Sequence, residues 1–179
     1  PGERAPPFAA PLAMSSLVGD ADVATRPDEG GAGRVPACRL RGPRILNICV
    51  LYEHNPVVFA LFIESSSCTG VLGEMQSLQA AFPTVRFAAV AMRPERSALR
   101  GLVQRLGLTF PVGVDRDGAL AALYKVATCT QVTFIEPGGT VESRALVGTP
   151  SSATLHSRVA ELVAAGTRLC SCLLYTSPS

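Results

Sequence analysis

The sequence predicts an α/β protein: one central mixed β-sheet with helices on both faces. Three observations carry this. Apolar, β-branched runs (PVVFALFIE at 56–64, VRFAAVAM at 85–92) alternate with stretches whose apolar residues recur every three or four positions. The Pro-Gly-Gly turn at 137–139 joins VTFIE to TVESRALVG as a hairpin. A final amphipathic segment follows. Strand–helix units give parallel pairing, and the hairpin adds antiparallel strands to the same sheet.

Residues 1–43 are rich in Pro, Gly, Ala and Arg and read as a largely irregular N-terminal extension, with PDEGGAGRVP at 27–36 a flexible loop. From Arg44 the texture changes. ILNICVLY and PVVFALFIE both read as strands, and the second barely alternates, so it is expected to be buried on both faces. Leu72, Met75, Leu78, Gln79 and Phe82 mark a helix that Pro83 ends. After the VRFAAVAM strand, Pro94 fits a first helical turn, and Leu99, Leu102, Val103 and Leu106 form a stripe that stops at Gly107. TFPVGVDRDG carries a short strand and a turn, and ALAALYKV a short helix. The last helix is expected from about Ser151 to Ala165, with Leu155, Val159, Leu162 and Val163 inward.

The domain is therefore placed at 44–166. Residues 167–179, ending CSCLLYTSPS, read as a disordered or artefactual tail, so Cys170 and Cys172 are set apart from the chemistry. Neither 1–35 nor 170–179 has apolar periodicity that would bury a face, and both are expected to add little to stability.

A hydrophobic fraction of 47% is enough for a core, and a soluble globular protein is expected. A net charge of +2 with scattered Lys and Arg offers no basic stripe for nucleic acid. The longest apolar run is too short to span a bilayer, so no membrane partner is expected. The six cysteines form no pair of CxxC knuckles and the two histidines stand far apart, which argues against a metal site. No cofactor is expected. Individual thiol chemistry remains.

Cys68 lies where a strand end meets a helix start. There the helix dipole and unpaired N–H groups stabilise a thiolate, although a small apolar residue in a core turn fits the same position. Ser65, Ser66 and Ser67 are placed to hydrogen-bond that sulfur or to cap the helix, and Thr69 and Gly70 add backbone N–H groups. Glu53 and His54 fall in the loop at the other end of the sheet. Cys38 and Cys49 admit either one disulfide or two free thiols.

The order of elements, together with PVVFALFIESSSCTGVLGEMQSLQ, LTFPVGVDRDGALAALYKV and CTQVTFIEPGGTV, resembles the thioredoxin-like redoxin family of peroxiredoxins and thiol:disulfide reductases. The likeness spans about 44–165, and the TFPV strand followed by DxDGxxAxxY is its most specific part. It implies a thioredoxin-like sandwich. Aligned on Glu74 and Met75, Cys68 takes the place of the nucleophilic cysteine of W-C-x-x-C, with Val71 at the second cysteine and Ser67 at the Trp. Against the peroxiredoxin motif, Ser65 matches the Thr/Ser position and Leu61 replaces the Pro. Cys129, Thr130 and Gln131 stand where a peroxide-orienting Arg is expected, and Thr130 occupies the cis-Pro position, where a trans peptide is expected.

The resemblance implies a thiol-dependent oxidoreductase using a single nucleophilic cysteine, Cys68, in thiol:disulfide exchange or hydroperoxide reduction. Ser65 and Cys129 would assist the chemistry; Ser67, Thr69, Gly70 and Thr130 would contact substrate. Reducing equivalents would come from an external thiol such as a thioredoxin or a low-molecular-weight thiol. Cys129 is implied to be a near neighbour of Cys68, either as a resolving thiol or as a buried apolar residue. The alternative is a catalytically weak thioredoxin-like binding module that keeps the fold alone.

Overall fold

The computed structural model describes residues 1–17, 19 and 35–173. In chain order its elements are β1 (Ala9–Pro11), a 3-10 turn (Ala37–Arg39), β2 (Ile45–Asn47), α1 (Ile48–Tyr52), β3 (Val57–Phe62), α2 (Gly70–Ala81), β4 (Arg86–Met92), α3 (Arg96–Arg105), β5 (Val112–Asp115), α4 (Ala119–Leu123), β6 (Thr130–Ile135), β7 (Leu146–Val147) and α5 (Ser152–Leu173). The loop expected at 27–36 falls largely outside the described residues.

The main sheet has the order β5-β4-β3-β6-β7. β3, β4 and β5 run parallel, while β6 pairs antiparallel with both β3 and β7. This is the expected mixed sheet. β3 sits at its centre and all six of its residues are buried, which is why its sequence does not alternate. Its pleat nevertheless divides the core. Val58, Ala60 and Phe62 join Leu72 and Met75 of α2, Leu99 and Leu102 of α3, and Leu155 and Val159 of α5. Val57, Phe59 and Leu61 face the opposite layer.

That opposite layer holds the main departure from the sequence reading. It is built from α4, α1 and the N-terminal segment, with Phe8, Ala10, Leu46, Ile48 and Tyr52 packed on Phe59 and Leu61. Phe8 is 0% exposed, and its ring centroid lies 5.2 Å from that of Phe59 and 5.9 Å from that of Tyr124. β1 and β2 form a separate two-stranded antiparallel ribbon across the sheet. The ribbon lies so close to β5 that a Cβ on Gly113 would meet Leu46 Cδ2 at 3.1 Å and Ala10 Cβ at 3.3 Å. The segment is also bound by its backbone. Arg96 donates to the carbonyls of Leu12, Ser15 and Leu17, Arg100 to those of Ala13 and Ser15, and the Tyr124 hydroxyl to that of Pro6. The expectation that residues 1–35 bury no face does not hold for the first seventeen, in which Phe8, Ala9, Ala10 and Ala13 are buried. A segment held by one aromatic anchor, small residues and backbone carbonyls shows no helical or strand periodicity to read.

ILNICVLY, expected as one strand, divides at Asn47. The Asn47 side chain accepts hydrogen bonds from the Cys49 and Val50 N–H groups, capping α1 and ending β2. Its Nδ2 donates to the carbonyls of Ala37 and Leu40, and Cys38 and Cys49 are joined as a disulfide with Cα atoms 5.3 Å apart. Helix α3 starts after Pro94 rather than on it, because the Glu95 carboxylate caps the N–H groups of Ser97 and Ala98. The expected hairpin opens in its middle. An isolated bridge joins Ile135 to Val141, and regular pairing resumes only at Leu146–Val147. α5 continues past the expected end at Ala165 to Leu173.

Candidate active site

The carboxyl end of β3 delivers the chain into the Ser65–Ser67 run, and α2 begins at Gly70. Cys68 is thus held between the central strand and a helix N-terminus. The turn is closed by its own backbone: the N–H groups of Cys68 and Thr69 both donate to the Ser65 carbonyl, at 3.0 and 3.1 Å. Alongside, β6 enters antiparallel to β3 with Thr130 opposite Phe62, and the Ile63 N–H donates to the Cys129 carbonyl at 2.8 Å. This pairing brings Cys129 to Cys68 across 61 positions of sequence. The two are joined as a disulfide with Cα atoms 5.7 Å apart.

The Ser65 hydroxyl donates to Cys68 Sγ at 2.9 Å, and the Ser67 hydroxyl lies 3.5 Å from the same sulfur and 3.1 Å from Ser65 Oγ. Both serines are exposed, while Cys68 is 3% exposed. Thr69 caps α2 by position, without a side-chain hydrogen bond, and Gly70 faces open space. Thr130 departs from its expected substrate-contacting place. It is 0% exposed, and its Oγ1 donates to the Cys68 carbonyl at 2.9 Å, so its side chain fixes the turn instead of meeting solvent. The peptide before it is trans, as are all peptides among the described residues. Val71, at the second-cysteine position, is buried in the core beneath α2.

Next to the half-buried Cys129 lies a cavity of about 660 Å³, open to solvent and walled by Ile63, Met92, Ala121 and Val126, with Arg93 and Lys125 at its edge. Sequence reading did not single out these residues. Arg93 and Lys125 are the non-glycine residues with positive φ among those described, at 50° and 53°. The basic residues of the chain are too scattered for such a pair to stand out before folding. Behind the cavity, Asp115 is buried, and desolvation raises its carboxyl above the ordinary range, partly offset by N–H groups from Ala121, Leu120 and Gly118. No cluster of metal-ligating side chains occurs among the described residues. No described helix is long and apolar enough to cross a membrane.

The sheet order, the second layer and the cysteine at the head of α2 define a thioredoxin-like α/β sandwich. No family model matches the sequence, and no curated protein matches it. Solved structures do. A secreted Mycobacterium tuberculosis disulfide oxidoreductase homologous to E. coli DsbE is 25% identical, with a TM-score of 0.59 over 66% of this chain and 90% of its own. The MTB dsbF structure, in mixed oxidized and reduced forms, is also 25% identical, with a TM-score of 0.60 over 66% of this chain and 88% of its own. A Chlorobium tepidum protein described as a DsbE-type thiol:disulfide interchange protein, 15% identical, shares the fold over 92% of this chain and 96% of its own, with a TM-score of 0.66. The chain thus has a thioredoxin-like fold, similar to that of these thiol:disulfide oxidoreductases and to the redoxins its sequence resembles.

Proposed function

We propose that this protein is a thiol:disulfide oxidoreductase that cycles between a Cys68–Cys129 disulfide and the two free thiols. The observation that carries the reading is the bridge itself. A cysteine at the head of α2, where this family's chemistry is expected, has a partner supplied by β6 in place of the one missing at Val71. Exchange transfers two electrons: a substrate dithiol becomes a disulfide as the protein bridge opens to two thiols, or the reverse. On opening, the Cys68 thiolate is stabilised by the N-terminal end of α2 and by the Ser65 hydroxyl. Thr130, through the Cys68 carbonyl, is the positioning residue. The partner is an external thiol, either a thioredoxin or a small thiol.

The test follows the two states directly. The protein is equilibrated in dithiothreitol buffers of graded potential, alkylated and peptide-mapped, and then assayed for reduction of insulin disulfides. The expected outcome is reversible, paired alkylation of Cys68 and Cys129, with turnover lost in Cys129→Ser. A pair that opens without any turnover would return the chain to the alternative of a binding module.

A further inference from the structure

In the oxidised state the two cysteines of the bridge are not equally exposed. Cys68 is 3% exposed and does not line the neighbouring cavity, whereas Cys129 is half-buried and forms part of its wall. Thiol–disulfide exchange depends on which sulfur an incoming thiolate reaches and on how well the other leaves. Both factors point the same way: Cys129 is the more exposed cysteine, and Cys68 is the one whose thiolate is held by the Ser65 hydroxyl and the start of α2.

The cavity beside Cys129 has the character of a ligand seat. Its volume, about 660 Å³, is within the range of small-molecule sites and suits a compound no larger than a short peptide. Its walls are mainly apolar, its edge carries Arg93 and Lys125, and no carboxylate lines it. Both cations are held at positive φ, a conformation that costs a residue of this type on the order of 1 kcal/mol or more and that clusters at functional sites. Arg93 is fixed there by its Nε donating to the Asp117 carbonyl at 3.0 Å, with its guanidinium packed against Gly118.

We infer that the sulfur presented to substrate is Cys129, reached through this cavity by a small anionic thiol, and that Cys68 is the sulfur released. This rests on the pair serving in thiol:disulfide exchange and reverses the polarity expected from sequence. A thiolate attacks Cys129 Sγ and forms a mixed disulfide; the Cys68–Cys129 bond breaks, and its electron pair leaves on Cys68. A second thiolate attacks the substrate sulfur of the mixed disulfide, forming the substrate disulfide and releasing Cys129 as thiolate. The protons of the two incoming thiols end on Cys68 and Cys129. Two thiols are oxidised to one disulfide, and one protein disulfide is reduced to two thiols.

The experiment uses the oxidised wild-type protein, so that no variant has to fold. It is exposed briefly to 3-mercaptopropionate, quenched in acid, alkylated and peptide-mapped. The expected result is the mercaptopropionate adduct on Cys129 and the alkyl group on Cys68. The opposite distribution overturns the polarity while leaving the exchange reading standing. A bridge left intact by the small thiol overturns the inference, and the exchange reading then stands on the insulin assay alone. The ligand class is read from rates per thiolate, each divided by the same thiol's rate on a small neutral disulfide, because intrinsic nucleophilicity falls with thiol pKa. 3-Mercaptopropionate is expected to react about threefold or more faster than neutral 2-mercaptoethanol, and cysteamine more slowly than either. Lys125→Asn, which tolerates the positive φ, should shrink that preference. Equal rates for all three thiols would overturn the anionic assignment.

Discussion

Ser65 contributes one short hydrogen bond to the Cys68 sulfur, and it is exposed, so its worth lies in the charge it stabilises rather than in packing. A hydroxyl donor to a thiolate favours the ionised form. Ser65→Ala should therefore weaken the Cys68 thiolate in the reduced protein and slow its alkylation near neutral pH. Alkylation rate against pH, read at Cys68, measures this directly. An unchanged profile would mean that the helix terminus alone holds the thiolate. Thr130 differs in kind, because its bond is to the Cys68 carbonyl and it is fully buried. Its loss would leave a buried acceptor unpaired, which acts first on the geometry of the turn.

Among the elements, α3 shows how a cap couples stability to pH. Hydrogen bonds from the Ser97 hydroxyl and from the backbone N–H groups of Ser97 and Ala98 pull the Glu95 carboxyl from its ordinary 4.5 down to about 2. Because the folded value is depressed, the cap's contribution is fully present above the unfolded pKa and is lost as pH falls through the folded one. The stability of α3 should decline between about 4.5 and about 2, and Glu95→Gln should flatten that limb in denaturant titrations run at stepped pH. α3 also carries Arg96 and Arg100, which fasten the N-terminal segment by its carbonyls. Loosening its cap would act on both layers.

For the whole molecule, the consequence of the N-terminal segment is that one face of the sheet depends on residues outside the run of strand–helix units. Phe8 is 0% exposed and packs against Phe59 and Tyr124, so Phe8→Ala should cost about 3–5 kcal/mol, the usual range for emptying such a site. Deleting residues 1–16 should cost more than that substitution and broaden the unfolding transition, because Ala10 and Ala13 leave with Phe8 and the Leu12, Ala13 and Ser15 carbonyls held by Arg96 and Arg100 are lost. Chemical denaturation followed by circular dichroism separates the two. A midpoint unmoved by either change would show that the second layer is not needed for cooperativity.

What the sequence determined by itself is whatever short-range patterning encodes. The unbroken apolar run of β3, the three-and-four spacing through Leu72, Met75 and Leu78, the stop at Pro83 and the Pro-Gly-Gly turn are each decided by residues within a few positions of one another, and the sheet follows from their order. The place of Cys68 between strand and helix was legible for the same reason. Tertiary structure decided the rest. Asn47 caps α1 and splits an apolar run that propensity alone reads as one strand. Phe8 finds its partners only when β3 and α4 are in place, Thr130 meets the Cys68 carbonyl only through the β3–β6 register, and Arg93 and Lys125 become neighbours of Cys129 only when β4 and α4 close on one cavity. These are contacts between residues far apart along the chain, and local periodicity carries no information about which distant surfaces will meet.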